Sequence, residues 1–158
     1  MTDLKTREEL LEALEQERAA VLELLPRFSD EQWRVAARAD GWTAHDIAMH
    51  LADSNYGLSL MVLGEIPPPL KLDEATGWMQ NLDELNETRR QKNAELPREK
   101  VLSRTSSSFG HVRRAIEGTD DLEAPGPYGP IHTKGQLLRR IIGHTQEHRQ
   151  DLEQILGS

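Results

Sequence analysis

The chain has no cysteine. Disulfides, thiolate metal ligands and a cysteine nucleophile are therefore all excluded. Basic residues are in the minority: 19 Lys and Arg against 27 Asp and Glu give a formal charge of −8. An acidic surface repels phosphates, so nucleic acid is not the expected partner. No apolar run approaches the roughly 20 residues that span a bilayer. The opening stretch MTDLKTREELLEALEQER lacks the apolar segment of a secretory signal. A cytoplasmic protein that engages neither membrane nor nucleic acid is the expectation. Aromatic residues are scarce at 4%, whereas Leu, Glu, Arg and Ala abound, and this composition leans helical. The length fits one domain over residues 1–158, enough to bury a real core.

Hydrophobic periodicity supplies the elements. Leu10, Leu11, Leu14, Val21, Leu22 and Leu25 recur at helical spacing between about Thr6 and Leu25. Thr6 with Glu9 forms a capping box at the start, and Pro26 ends or kinks the last turn. Ser29 and Gln32 cap one short turn carrying Phe28 and Trp33, and Ala39-Asp40-Gly41 reads as a loop. A second helix opens at Trp42-Thr43-Ala44-His45-Asp46, with Thr43 as N-cap and Asp46 favoured by the helix dipole. Ile47, Leu51, Ser54, Leu58, Met61 and Val62 form its expected buried face. Ile66-Pro67-Pro68-Pro69-Leu70 cannot continue a helix and reads as a rigid crossover. Asp73 to about Leu96 reads as a polar helix on the outside of a bundle, anchored by Leu82, Leu85 and Leu96.

Pro97 suits the first position of the next helix. That helix buries Val101, Thr105, Phe109, Val112 and Ile116 and stops at Gly118. Ala124 to Pro130 is a loop by composition, with Gly126-Pro127-Tyr128-Gly129 as its turn. The last helix starts at a Thr133/Gln136 capping box. Leu137, Ile141, His144, His148, Leu152 and Ile155 follow at spacings of four, three, four, four and three. The whole reads as an all-α four-helix bundle with a long crossover and an extra polar helical segment between the second and third core helices.

Two histidines interrupt this last stripe. His144 and His148 lie one turn apart on one face, so both imidazoles can reach one point, a spacing known from zinc sites. The competing reading is two buried histidines, each satisfied by a nearby carbonyl or carboxylate. A shared metal removes the cost of roughly 1–3 kcal/mol that each unpaired buried group would carry. His50, at the edge of the second helix's buried face, is the third candidate. Three imidazoles from two helices leave coordination positions open, the pattern of a catalytic rather than a structural site. For His50 alone, a boundary histidine is the competing reading. His45, His111 and His132 are expected to be solvated. Asp151, one turn past His148, is either a partner for an imidazole N–H or a plain surface carboxylate. Arg113-Arg114 and Arg139-Arg140 read as solvated faces, with a site for an anionic substrate as the other reading. Ser106-Ser107-Ser108 has no paired base. The chain has no Glu-x-x-His, no His-Glu-x-x-His, no phosphate loop and no Gly-x-Ser-x-Gly.

The stretch Trp42 to Leu51, WTAHDIAMHL, resembles the signature that opens the second helix of DinB-like proteins. Ile141 to His148, IIGHTQEH, resembles their C-terminal His-x-x-x-His helix. The superfamily groups DinB-like and YfiT-like proteins with mycothiol-dependent maleylpyruvate isomerase. The resemblance implies a divalent metal (nickel, zinc, iron or manganese) on His50, His144 and His148. It also implies a homodimer acting on a small-molecule substrate, often with a low-molecular-weight thiol as cosubstrate. The implied reaction is thiol S-transfer or hydrolysis, and a non-enzymatic metal- or ligand-binding bundle is the alternative. Segment 73–96 matches no substrate.

Overall fold

The computed structural model describes residues 4–35, 37–65, 70–76, 79–126 and 129–157, with only the backbone of 129–131. The helices are α1 (Arg7–Leu24), α2 (Asp30–Val35), α3 (Ala44–Val62), α4 (Leu82–Asn93), α5 (Arg98–Glu117) and α6 (Lys134–Gly157). A 3-10 turn over Leu25–Arg27 follows α1, where Pro26 forbids a further α-helical bond. Four long helices, α1, α3, α5 and α6, form the bundle. α3 packs chiefly on α5 and then on α6, and α1 packs on both α5 and α6. Segment 63–97 is the crossover from α3 to α5, and α4 lies on the α3 side of it. None of the described helices is long and apolar enough to cross a membrane.

The caps form as the sequence leads one to expect. Thr6 and Glu9 exchange side-chain to backbone hydrogen bonds at 3.1 Å each. Ser29 with Gln32 and Thr133 with Gln136 do the same. At the head of α3, Thr43 Oγ1 accepts from Asp46 N, and Asp46 Oδ2 accepts from Thr43 N at 3.0 Å. Asp46 therefore completes a capping box in addition to complementing the dipole.

The core is aliphatic, with Leu10, Leu25, Ile47, Leu51, Ile141 and Leu152 fully buried beside Trp33 and Phe109. The α3/α5 seam also carries polar groups. Asn55 Nδ2 donates to Ser108 Oγ at 3.0 Å, and Thr105 Oγ1 donates to the Ala48 carbonyl at 3.0 Å. Ser54, expected on the buried face, is half-buried, and Asn55 and Ser59 are buried instead. Asn55 reaches Ser108 through Nδ2, whereas Asn55 Oδ1 and Ser59 Oγ are buried with no hydrogen-bond partner among the described residues. Glu17 is also buried on α1, and Arg149 of α6 donates to both its carboxylate oxygens, at 2.7 and 3.3 Å.

Three boundaries differ from the sequence reading. The polar helix expected over 73–96 shrinks to Leu82–Asn93. Asp73 Oδ1 instead accepts from the amides of Ala75 and Thr76, and Leu72 bridges Met79 across a turn. An Asp side chain that captures the following amides makes a turn, not a helix. The expected loop 124–130 contains a short antiparallel pair, β1 (Pro125–Gly126) with β2 (Gly129–Thr133). Backbone pairing needs no particular side chains, so composition alone missed it. Pro97 is the residue before α5 rather than its first residue. Residues 66–69 of the Pro-rich crossover, and Pro127 and Tyr128 of the expected turn, lie outside the described residues.

Candidate metal centre

α3 presents His50 and α6 presents His144 and His148, where the two helices face each other. The Nε2 atoms of His50 and His144 are 3.2 Å apart, and those of His144 and His148 are 3.0 Å apart. One nitrogen from each of the three rings lies within 4.8 Å of the others. Nitrogens held about 2.1 Å from one ion, in tetrahedral or octahedral array, are separated by about 3.0–3.4 Å. The donor set thus fits a divalent cation. Three histidines that can hold a metal ion are present, and among the described residues no fourth His, Asp or Glu joins them.

The electrostatics favour the ligating form. Burial, then the neighbouring imidazoles and the charges of Arg38 and Arg89, push His50 down to about 2. Burial, then His148 and Arg140, push His144 down to about 3. Burial lowers His148 as well, against the pull of Asp151. All three imidazoles are neutral at pH 7, the state that binds metal. Neutral rings facing one another leave lone pairs in competition for too few protons, and a cation satisfies them together.

The surroundings orient the rings. His148 Nδ1 lies 3.2 Å from Asp151 Oδ2, which puts the proton on Nδ1 and the free lone pair on Nε2. Arg38 NH1 donates to the same Asp151 oxygen at 2.9 Å. Arg38 is itself clamped by Asp40, at 3.2 Å from Nε and 2.8 Å from NH2. Its guanidinium lies 5.2 Å from the Trp42 ring centre, and Trp42 meets His50 edge-on at 5.5 Å. Loop 37–43 delivers both side chains. It closes through the Ala37–Thr43 bridge and turns at Gly41, whose φ of +90° suits only glycine.

Beside His50 and His144 opens a small cleft of about 80 Å³. Leu58 and Met61 of α3, Met79, and Leu82 and Leu85 of α4 give it an apolar wall. Asp53, Asn86, Arg89 and Arg140 supply its polar groups. Its apolar wall with a few convergent polar groups has the chemistry of a small-molecule site. Burial raises the Asp53 carboxyl, with Arg89 pulling against it.

A family model for the DinB superfamily matches residues 13–152, a span that contains all three histidines and the cleft. The chain belongs to the DinB superfamily. No curated protein and no solved structure matches it.

Within this DinB-superfamily bundle the remaining histidines stand apart from the triad. His45, expected at the surface, is buried. Trp33 Nε1 donates to its Nδ1 at 3.1 Å, and its Nε2 donates to the Asn93 carbonyl at 3.0 Å. α2 folds over the first turn of α3 and covers it. His111 is half-buried rather than solvated: it packs on Tyr56, and Arg114 donates to it at 2.8 Å. His132 is half-buried in β2. Asp151 proves to be the imidazole partner and not a plain surface carboxylate. Arg140 reaches the cleft, whereas Arg139 donates to the Leu4 carbonyl, and Arg113 pairs with Glu117. Sequence reasoning missed Arg38, Trp42, Asp53 and Arg89 as neighbours of the site. His50-x-x-Asp53 and the WTAHD start place Asp53 and Trp42 within a turn or two of His50, and that proximity was the available signal. Nothing local marks Arg38 or Arg89.

Proposed function

We propose that this DinB-superfamily protein is a metal-dependent enzyme acting on a small molecule in the α3/α4/α6 cleft, by thiol S-transfer or hydrolysis. One observation carries the reading: three imidazoles converge beside an open cleft that His50 and His144 line, and no further imidazole or carboxylate joins them among the described residues. Three protein ligands leave positions for water or substrate, whereas a purely structural zinc site is usually filled by four. A divalent cation held there supplies Lewis acidity, lowering the pKa of a coordinated water or thiol. The chain has no cysteine, so in the thiol reaction the sulfur nucleophile comes from a cosubstrate.

The chain's own residues do the rest. His50, His144 and His148 turn their Nε2 atoms inward. Asp151 keeps the His148 proton on Nδ1, so that Nε2 stays available. Trp42 packs edge-on against the His50 ring and helps to fix its orientation. The apolar wall dehydrates the bound molecule, which strengthens every charge interaction within the cleft.

The test starts from untagged protein purified without chelator, assayed for metal by mass spectrometry beside His144→Ala. About one equivalent in the wild type, and almost none in a folded His144→Ala, is expected. The loaded protein then catalyses either displacement of halide from an activated aryl halide by a thiol, forming the C–S bond and releasing halide and a proton, or hydrolysis of a p-nitrophenyl ester, and His144→Ala does neither. Absence of metal uptake overturns the metal reading. Full loading without either activity leaves the binding-protein alternative.

A further inference from the structure

The cleft has a charge opposite to that of the chain. Acidic residues outnumber basic ones by 27 to 19 overall. The described lining of the cleft nevertheless holds two guanidiniums, Arg89 and Arg140, against a single carboxylate, Asp53. They come from different helices, Arg89 from α4 and Arg140 from α6, one turn before His144. Each acts electrostatically on the triad: the charge of Arg89 helps depress His50, and that of Arg140 helps depress His144. Arg89 also acts on Asp53. Apolar side chains of α3 and α4 stand among these charges in the same lining.

We propose that the cleft takes a small molecule with one anionic group (carboxylate, phosphate or sulfonate) on an apolar body. Arg140 and Arg89 hold the anion, and Leu58, Met61, Met79, Leu82 and Leu85 hold the body. The inference rests on the cleft being the substrate site. A guanidinium offers paired N–H donors in one plane, which match the oxygens of such groups. The apolar wall adds affinity for the body but cannot distinguish an anion from an alcohol. Charge selection therefore falls to the two arginines.

Hexane-1-sulfonate and hexan-1-ol separate these contributions, because a sulfonate is a poor metal ligand. Both are titrated by calorimetry into zinc-loaded and chelator-treated protein. The sulfonate is expected to bind about tenfold more tightly than the alcohol in both forms. Arg89→Gln and Arg140→Gln each lose most of that preference and leave hexan-1-ol binding unchanged, which also certifies an intact cleft. Should either variant fail to fold, raising salt on the wild type serves instead, since screening erodes the preference of an exposed guanidinium site. Equal affinity for the two probes, no sulfonate binding, or a preference that survives in both variants overturns the proposal. The chelator-treated arm needs no metal. An anion preference without metal uptake therefore sinks the enzyme reading alone, and metal-dependent turnover without the preference sinks this one alone.

Discussion

Replacing Asp151 by Asn isolates the outer support of the triad. Asp151 Oδ2 takes the His148 Nδ1 proton at 3.2 Å and an Arg38 N–H at 2.9 Å. The amide keeps the shape and one acceptor oxygen but loses the charge. Its NH₂ end, if turned inward, meets two donors and can accept from neither. Partners of this kind typically account for 10–100-fold in metal affinity, or about 1.4–2.8 kcal/mol. Asn, which preserves an acceptor, belongs at the lower end, about tenfold, and Ala at the upper, about a hundredfold. Arg38 remains held by Asp40 in both variants, so loop 37–43 should keep its place. Competition against a chromophoric zinc chelator reads the affinity, and far-UV circular dichroism confirms the helices. An affinity within twofold of wild type for Asp151→Ala would refute the claim that this carboxylate sets the His148 tautomer.

Two further outcomes follow from the same contacts. Thr43→Ala removes the hydroxyl that accepts from Asp46 N at the head of α3. Loss of such a cap costs about 1 kcal/mol, or about 2–4 °C in Tm for a chain of this size, and an unchanged thermal melt would contradict it. The metal-free protein should become less stable as pH falls below about 6.5. An unfolded histidine takes up a proton there, whereas folded His50 and His144 resist until about 2 and about 3. Protons then favour the unfolded chain over the whole interval between those values. Urea midpoints at pH 7.5 and 5.5 should fall in that order, and His50→Gln should narrow the gap. A rise toward pH 5.5 would reverse the sign of the argument.

The bundle was legible because its helices are long and their apolar stripes are sustained, as in Leu137, Ile141, Leu152 and Ile155. Caps were legible too, since Thr6/Glu9, Ser29/Gln32 and Thr133/Gln136 are local pairs. The convergence of His50 with His144 and His148 was read partly from spacing within the last helix and partly from family resemblance. No local rule brings position 50 beside position 144. What escaped were contacts between segments distant in sequence. His45 looked exposed because it sits in a first turn, yet Trp33, twelve residues earlier, folds over it. Arg38 meets Asp151 across 113 residues. The short β pair and the turn at Asp73 rest on backbone and side-chain hydrogen bonds that hydrophobic periodicity does not register.

The two halves of the site are built with unequal rigidity, and that bears on where specificity resides. His50 and His144 stand on helices whose core faces carry many fully buried side chains, among them Ile47, Leu51, Ile141 and Ile142. Shifting either imidazole means repacking that core, where deleting a large aliphatic side chain costs about 2–5 kcal/mol. The opposing wall stands on α4, a helix of 12 residues with Leu85 as its one buried residue. Residues can change on that wall, Asn86 and Arg89 included, at little cost to the bundle. The triad's geometry is thus tied to the fold, while the charge and shape of the cleft are not. Membership of the DinB superfamily accordingly constrains what is held beside the cleft far more than what enters its mouth. Substitutions at Arg89 should therefore alter ligand choice with metal content unchanged. Those at His144 should remove the metal from a cleft that still distinguishes an anion from an alcohol.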